Sequence, residues 1–267
     1  MYQFVDVSVH SVPKTATSIS EDVAVVTPSA IVVCDGATSK PVDGFAIAPI
    51  PAARVARIVT ETASSSMLNG SELVAELNAA VARAVTASFV GSDVPPYQPA
   101  SCTLACARLF GETVVVTLVG DTSVRVNGPG GDVYGDRVAI DELTTAARAH
   151  YIRLTGDIDG SRDFIMPLLS RQFQYRNSDT HPLGYGVIDG GRTPDKFIRT
   201  VTLPVSSVRS IEVFTDGYAK MPDAVTVDAW ERAYAEMVDE DPDRCGAYPA
   251  TKTRDDRTVV IASVSSD

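Results

Sequence analysis

The sequence predicts a single domain of the α+β class, with antiparallel strands and helices that arrive in separate groups. Three observations predict it. Short Val- and Ile-rich runs recur in the first, middle and last thirds of the chain, several only two or three residues apart, and connections that tight join antiparallel strands. Two longer stretches have the period of a helix with one buried face. No internal repeat, low-complexity tract or linker interrupts the 267 residues, so one domain, residues 1–267, accounts for the length.

Tyr2–His10 alternates Val5, Val7 and Val9 with Asp6 and Ser8, which is strand patterning. Asp22–Thr27 and Ala30–Cys34 follow as strands around the turn-forming Pro28-Ser29, and the second stops at Asp35-Gly36. Pro51–Thr62 opens with a proline suited to a first helical turn. Ser71–Ser88 is the next helix, with Ser71 as N-cap and Leu73, Leu77, Val81 and Val85 on one face. A proline-rich loop, Gly91–Pro99, ends the pair. Strands are expected at Ser101–Phe110, Thr113–Val119 and Ser123–Val126, with turns at Gly111-Glu112 and Gly120-Asp121. Helices at Ala139–Leu154 and Phe164–Phe173 precede strands at Lys196–Leu203 and Ser210–Phe214, the latter running into Asp216-Gly217. A helix at Val225–Val238 holds the sole tryptophan, Trp230, at a core position, and Asp255-Asp256 leads into a strand at Thr258–Val264.

Composition narrows the function. The 23 Lys and Arg against 34 Asp and Glu give a net charge of −11, which repels nucleic-acid phosphates and attracts divalent cations and basic peptides. No apolar run approaches the roughly 18 residues that span a bilayer. Met1–Ser11 alternates and carries Asp6 where a signal peptide needs an apolar stretch. A cytoplasmic protein with neither nucleic-acid nor membrane partners is expected. Cys34, Cys102, Cys106 and Cys245 lack zinc spacing and read as packed free thiols.

Four acidic clusters share one placement. Glu21-Asp22 and Asp255-Asp256 enter strands, whereas Asp35-Gly36 and Asp216-Gly217 leave them. Mg2+ and Mn2+ favour carboxylate, carbonyl and water oxygens, and a site for two such ions needs carboxylates converging from several strands. A glycine after the aspartate lets backbone approach closely. One Asp-Gly is an ordinary turn; four clusters at the ends of apolar strands are a pattern.

In order and wording these motifs resemble the metal-dependent protein phosphatase 2C family along nearly the whole chain. The family's Asn-Glu-Asp appears as Ser20-Glu21-Asp22, its strand-end Asp-Gly as Asp35-Gly36, and its Gly-Asp-Ser turn as Gly120-Asp121-Thr122. Its Ser/Thr-Asp-Gly appears as Thr215-Asp216-Gly217 and its closing Asp-Asn-x-Thr as Asp255-Asp256-Arg257-Thr258. The resemblance implies a central β-sandwich of two antiparallel sheets flanked by helices, an α-β-β-α arrangement with the site at one end. It implies a serine/threonine phosphatase of bacterial type holding two Mn2+ or Mg2+. Asp35 would bridge both ions, Asp216 and Asp255 would complete one site, and Glu21 with the Gly36 carbonyl would hold the other, with Asp22 acting through water. A water activated by both cations, roughly 3.5–4 Å apart, would attack phosphorus in line. The partners implied are phosphorylated proteins and the Ser/Thr kinase system that makes them.

The pattern also departs from the family. Thr17 stands where the family usually has a phosphate-gripping arginine, which leaves Lys14 and Lys40 as candidates, although lysine lacks the guanidinium fork. Ala37 stands where eukaryotic members carry a general-acid histidine. Lys220 stands where a third metal would need an acid, so Asp121 either ligates that metal or only closes its turn. The glycine-rich segment His181–Gly190 is expected near the site.

Two other functions compete for the same residues. An aspartyl-nucleophile hydrolase wants Asp-x-Asp, but Asp35 is followed at the second position by Ala37. A 2C-like domain without turnover, serving as a regulatory or phosphoprotein-binding module, fits the missing arginine, the missing histidine and the intrusion of Lys220. Against it stand Asp35, Asp216 and Asp255, which would repel one another without metal.

Overall fold

The computed structural model describes residues 2–40, 48–89 and 98–266. The chain begins with strands β1 (Tyr2–Val12), β2 (Val23–Val26), β3 (Ala30–Cys34) and the short β4 (Gly36–Ala37). Helices α1 (Ala52–Ser65) and α2 (Gly70–Ser88) follow. The middle strands are β5 (Ser101–Cys102), β6 (Leu104–Phe110), β7 (Thr113–Val119), β8 (Ser123–Val126) and β9 (Val133–Tyr134). Then come α3 (Ala139–Thr155), α4 (Ser161–Arg171), β10 (Arg199–Pro204), β11 (Ser210–Phe214), α5 (Val227–Glu240) and β12 (Arg257–Ser266).

Two antiparallel five-stranded sheets result, ordered β1-β12-β11-β8-β9 and β10-β7-β6-β3-β2, with β4 and β5 paired at one end. The expected α-β-β-α layering is present, and β3 shows why. All five of its residues are buried, because alternate side chains of a strand point to opposite faces and here both faces are covered. Ile31 and Val33 enter the core between the sheets with Val116, Leu118, Val213 and Val260. Val32 and Cys34 face α1 and α2, meeting Val55, Val59, Leu73 and Leu77. Leu73, Leu77 and Val81 are fully buried, each contributing about 1.5–3 kcal/mol by leaving water.

The opposite flank is α5, whose Trp230 is wholly buried against Phe214, Tyr218 and Val259. A buried ion pair underlies it. Arg125 Nε and Nη2 each lie 2.6 Å from Glu212, which also accepts the Trp230 indole N–H at 2.8 Å. Every charged atom of that pair so engaged is compensated, which burial demands.

Three expectations are corrected in detail. The strand expected over Ser101–Phe110 breaks at Thr103, whose N–H turns to the Asp35 carbonyl while its hydroxyl accepts the Asp35 N–H. The cap of α2 is Asn69, not Ser71, and its backbone carbonyl accepts the Leu73 N–H. The strand expected from Lys196 begins at Arg199, since residues Asp195–Phe197 form a single 3-10 turn after Pro194. Of the expected loop Gly91–Pro99, residues 91–97 lie outside the described residues.

Helices α3 and α4 pack on each other beside the sandwich and clamp the irregular segment 241–256 that precedes β12. The Arg148 guanidinium, only 2% exposed, donates to Ser161 Oγ and to the carbonyls of Asp243, Arg244 and Ala250, each at 3.0 Å. Arg162 Nη1 donates to the Thr251 carbonyl at 2.7 Å. Asp241 closes the segment from within, accepting the N–H groups of Cys245, Gly246 and Tyr248.

Candidate active site

The ends of β3, β7, β11 and β12 open onto one cavity of about 850 Å³. Asp35, Gly36, Asp121, Asp216 and Asp255 line it, together with Glu21, Lys40, Asp141, Arg162 and Lys252. Tight backbone approaches build this end. A Cβ on Gly36 would lie 2.7 Å from the Glu21 carbonyl oxygen, and one on Gly217 would lie 2.1 Å from that of Asp256. Gly120, at φ +80°, turns the chain so that Asp121 faces the cavity, with the Thr103 and Thr122 hydroxyls bonded beneath it. The Asp-Gly pairs therefore serve close packing of backbone as well as turning.

Asp22 sits behind this surface. Its Oδ2 accepts the Thr215 hydroxyl at 2.8 Å, and Thr215 Oγ1 in turn accepts the Thr258 N–H at 3.0 Å. Its Oδ1 is buried with no partner among the described residues, which is costly unless something occupies that direction. Asp256 faces the other way from Asp255. Only 2% exposed, it accepts the backbone N–H groups of Lys14 and Glu21 at 2.7 and 3.2 Å and so ties the strand entry to residues 14–21.

Electrostatics bind the cluster into one unit. Burial drives the Asp35 carboxyl well above its ordinary range, and the charges of Asp22, Asp216, Asp255 and Asp121 push it further. Burial likewise raises Asp22 to about 7, against the opposing hydrogen bonds of Thr215 and Thr258. Asp121 is pushed up to about 7 by burial and then by Asp141, and Asp255 to about 6 by burial and then by Asp216. Carboxylates crowded this way attract protons or cations. Among the described residues no group of three His, Cys, Asp or Glu side chains is closed around a metal position. The donors are nevertheless all oxygen, and one buried Oδ1 is orphaned, a set that fits hard divalent cations.

The two lysines singled out in the sequence have different surroundings. Lys14 Nζ is engaged by Glu21 Oε2 at 2.9 Å and Asp256 Oδ2 at 3.3 Å, while Glu21 Oε1 accepts the Thr38 hydroxyl. Lys40 lines the cavity, its Nζ donating to the Thr38 carbonyl at 3.3 Å. Lys220 points away to Glu236 and Glu240 on α5. Tyr185, Gly186 and Val187 of the glycine-rich segment line the cavity, whereas His181 stacks on Tyr175 at 4.4 Å.

Three cavity residues had no sequence signal. Asp141, in the first turn of α3, accepts from Gln172 Nε2 at 2.7 Å and is raised to about 6 by burial and by Asp216. An acid there looks like an ordinary helix N-terminal residue. Lys252 places Nζ 2.5 Å from Asp255 Oδ1, and Arg162 comes from α4.

The sequence matches the family described as protein phosphatase 2C over residues 18–245. The chain belongs to the protein phosphatase 2C family. That match ends before Asp255, so the closing acid of this 2C domain rests on the strand-end geometry above. No curated protein matches the chain. Solved structures share its fold at low identity. A bacterial serine phosphatase superposes with a TM-score of 0.54 at 14% identity, covering 98% of each chain. Stp1 from Staphylococcus aureus, a serine/threonine phosphatase, gives a TM-score of 0.54 at 14% identity over 98% of this chain and 95% of that one. The catalytic domain of the serine/threonine protein phosphatase PstP, solved with two manganese ions, gives 0.53 at 13% identity over 100% of both.

Proposed function

We propose that this 2C domain is a metal-dependent phosphatase that hydrolyses phosphoserine and phosphothreonine in proteins. The observation that carries the reading is the convergence of Asp35, Asp121, Asp216 and Asp255 on one cavity, with Asp22 and its orphaned oxygen behind them. Asp35 would hold two cations, Mn2+ or Mg2+. Asp216 and Asp255 would complete one set, and Glu21 with the Gly36 carbonyl the other, with Asp22 acting through water. Asp121, with Asp141 beside it, is the candidate for a third. When bound, two such cations activate a water at neutral pH and offset the charge of the phosphoryl oxygens.

The chain's own residues do the positioning. Thr215 fixes the Asp22 carboxylate through its hydroxyl, and Asp256 fixes the backbone at Glu21. Thr103 fixes both the N–H and the carbonyl of Asp35. These bonds tie acids that flank the strand ends to the sheet edges, the kind of support that positions a site. The substrates are phosphoproteins, which a Ser/Thr kinase must supply. Three buried free thiols suit a reducing compartment, the cytoplasm; among the described residues no helix is long and apolar enough to cross a membrane.

The Lys252–Asp255 pair favours one second reading, a 2C domain that binds phosphoproteins without turnover. Hydrolysis of p-nitrophenyl phosphate and a phosphothreonine peptide, with Mn2+, Mg2+ or EDTA, separates the two. Metal-dependent turnover abolished by Asp216→Ala is the expected result. Calorimetric Mn2+ binding by a folded protein with no turnover would establish the second reading instead.

A further inference from the structure

The cavity holds more positive charge than a site for cations needs. Much of it is committed to structure. Arg137 pairs with Glu142, Arg176 donates to the Pro99 carbonyl at 2.6 Å and to Tyr185, and Arg244 Nε donates to the Tyr248 carbonyl at 2.6 Å. Lys14, outside the cavity lining, is spent on Glu21 and Asp256. Arg153 is exposed on the last turn of α3, which leaves three half-buried cations among the described lining residues, from three separate segments: Lys40 after β4, Arg162 at the start of α4, and Lys252 in the clamped segment before β12.

Their placement is built rather than incidental. Arg162 is anchored through Nη1 to the Thr251 carbonyl, one residue from Lys252, and its Nε and Nη2 make no hydrogen bond among the described residues. Lys252 gives one of its three N–H donors to Asp255 Oδ1, which leaves two. Arg148 holds the carbonyls around this segment, so Lys252 and Thr251 ride on a fixed base. Burial lowers Lys40, and Arg162 and Lys252 lower it further. Burial also lowers Arg162. Lys252 goes the other way: burial opposes its charge, but Asp255, then Asp35 and Asp216, hold it up. Lys40 and Arg162 thus sit half-buried on the cavity wall, Lys40 within the field of Glu21 and Arg162 within that of Asp255, directly beside the acids proposed to hold metal.

We propose that Lys40, Arg162 and Lys252 form the phosphate grip of this centre, seizing the oxygens of a phosphoserine or phosphothreonine beside Asp35, Asp216 and Asp255. The assignment rests on the phosphatase reading and supplies what Thr17 cannot. Arg162 brings the planar donor fork suited to a phosphate edge. Lys40 and Lys252 bring point charge from either side, and Lys252 links the phosphate to Asp255.

The test titrates inorganic phosphate into the Mg2+-loaded protein by calorimetry and measures KM for a phosphothreonine peptide with Mn2+. Lys40→Gln, Arg162→Gln and Lys252→Gln are compared with wild type, and Arg162→Lys serves as the conservative variant should Arg162→Gln fold poorly. Loss of a charged phosphate contact should weaken phosphate binding and raise KM by about tenfold or more each. Mn2+ affinity in Lys40→Gln and Arg162→Gln should stay within about threefold of wild type, and Arg162→Lys should recover part of the loss. Phosphate affinity and KM within twofold of wild type in folded Lys40→Gln and Lys252→Gln would overturn the proposal and leave the phosphatase standing. Weakened phosphate binding in a wild-type background without turnover would keep the grip and remove the phosphatase. Wild type that binds no phosphate would overturn it outright.

Discussion

Replacing Arg148 by Met tests whether the segment carrying Lys252 and Asp255 is held by one guanidinium. The substitution keeps an apolar stem of similar length but deletes four hydrogen bonds, to Ser161 Oγ and to the carbonyls of Asp243, Arg244 and Ala250. At roughly 1 kcal/mol net each, and with the freed carbonyls partly rehydrated, docking of the segment should weaken by about 3 kcal/mol. Because α3 and the segment lie beside the sandwich, the loss should appear as local opening rather than global unfolding. The amides of Cys245, Gly246, Tyr248 and Ala250, all bonded within the segment, should exchange roughly 10²-fold faster, since 1.4 kcal/mol is a factor of ten. KM for a phosphopeptide should rise with them, and Mn2+ affinity should fall as Asp255 loses its seat. Exchange of those four amides within threefold of wild type, in a folded variant, would refute the reasoning.

Three other predictions follow from the same contacts. With EDTA present, stability should fall as pH rises from about 5 to 8. Asp22 and Asp121 at about 7 and Asp255 at about 6 all titrate above the unfolded value of roughly 4, so the folded state binds more protons in that window and loses its advantage as they leave. A Tm that is flat or climbs over that range contradicts this, and Mn2+ at pH 8 should restore what EDTA removed. Gly217→Ala puts a Cβ 2.1 Å from the Asp256 carbonyl oxygen; relief needs backbone movement, and a loss of about 3 kcal/mol, roughly 10 °C in Tm, is expected with weaker Mn2+ binding. Trp230→Ala empties a fully buried site and strips Glu212 of its indole donor, so urea titration should show a loss of about 4 kcal/mol.

How far the sequence could be read depended on where each residue's partners lie. Ala30–Cys34, Ser123–Val126 and Ser210–Phe214 were expected at the residues where they occur, because apolar β-branched runs end at turn residues a few positions away. The break at Thr103 was not legible, since its cause is a pair of hydrogen bonds to Asp35, 68 positions earlier in the chain. The acids on the cavity announced themselves through Asp-Gly pairs and strand ends. Lys252 and Arg162 did not, because their place depends on α4 and the segment before β12 meeting through Arg148 and the Thr251 carbonyl. Asp141 was hidden by resembling the acid any helix favours in its first turn. The packed thiols were foreseen for Cys34, Cys102 and Cys106, while Cys245 is only half-buried and reaches the cavity wall.

The pairing of β1 with β12 joins Tyr2 to Ser266 and Val12 to Arg257, so the two ends of the fold are neighbours. The acids follow the same division: Asp22 and Asp35 arrive with the first sheet strands, Asp216 and Asp255 with the last. A chain opened anywhere between α2 and α3 would yield two pieces that each carry half of the acids and none of the chemistry. Activity regained on mixing such pieces would measure their association, which makes this architecture a natural reporter of its own assembly.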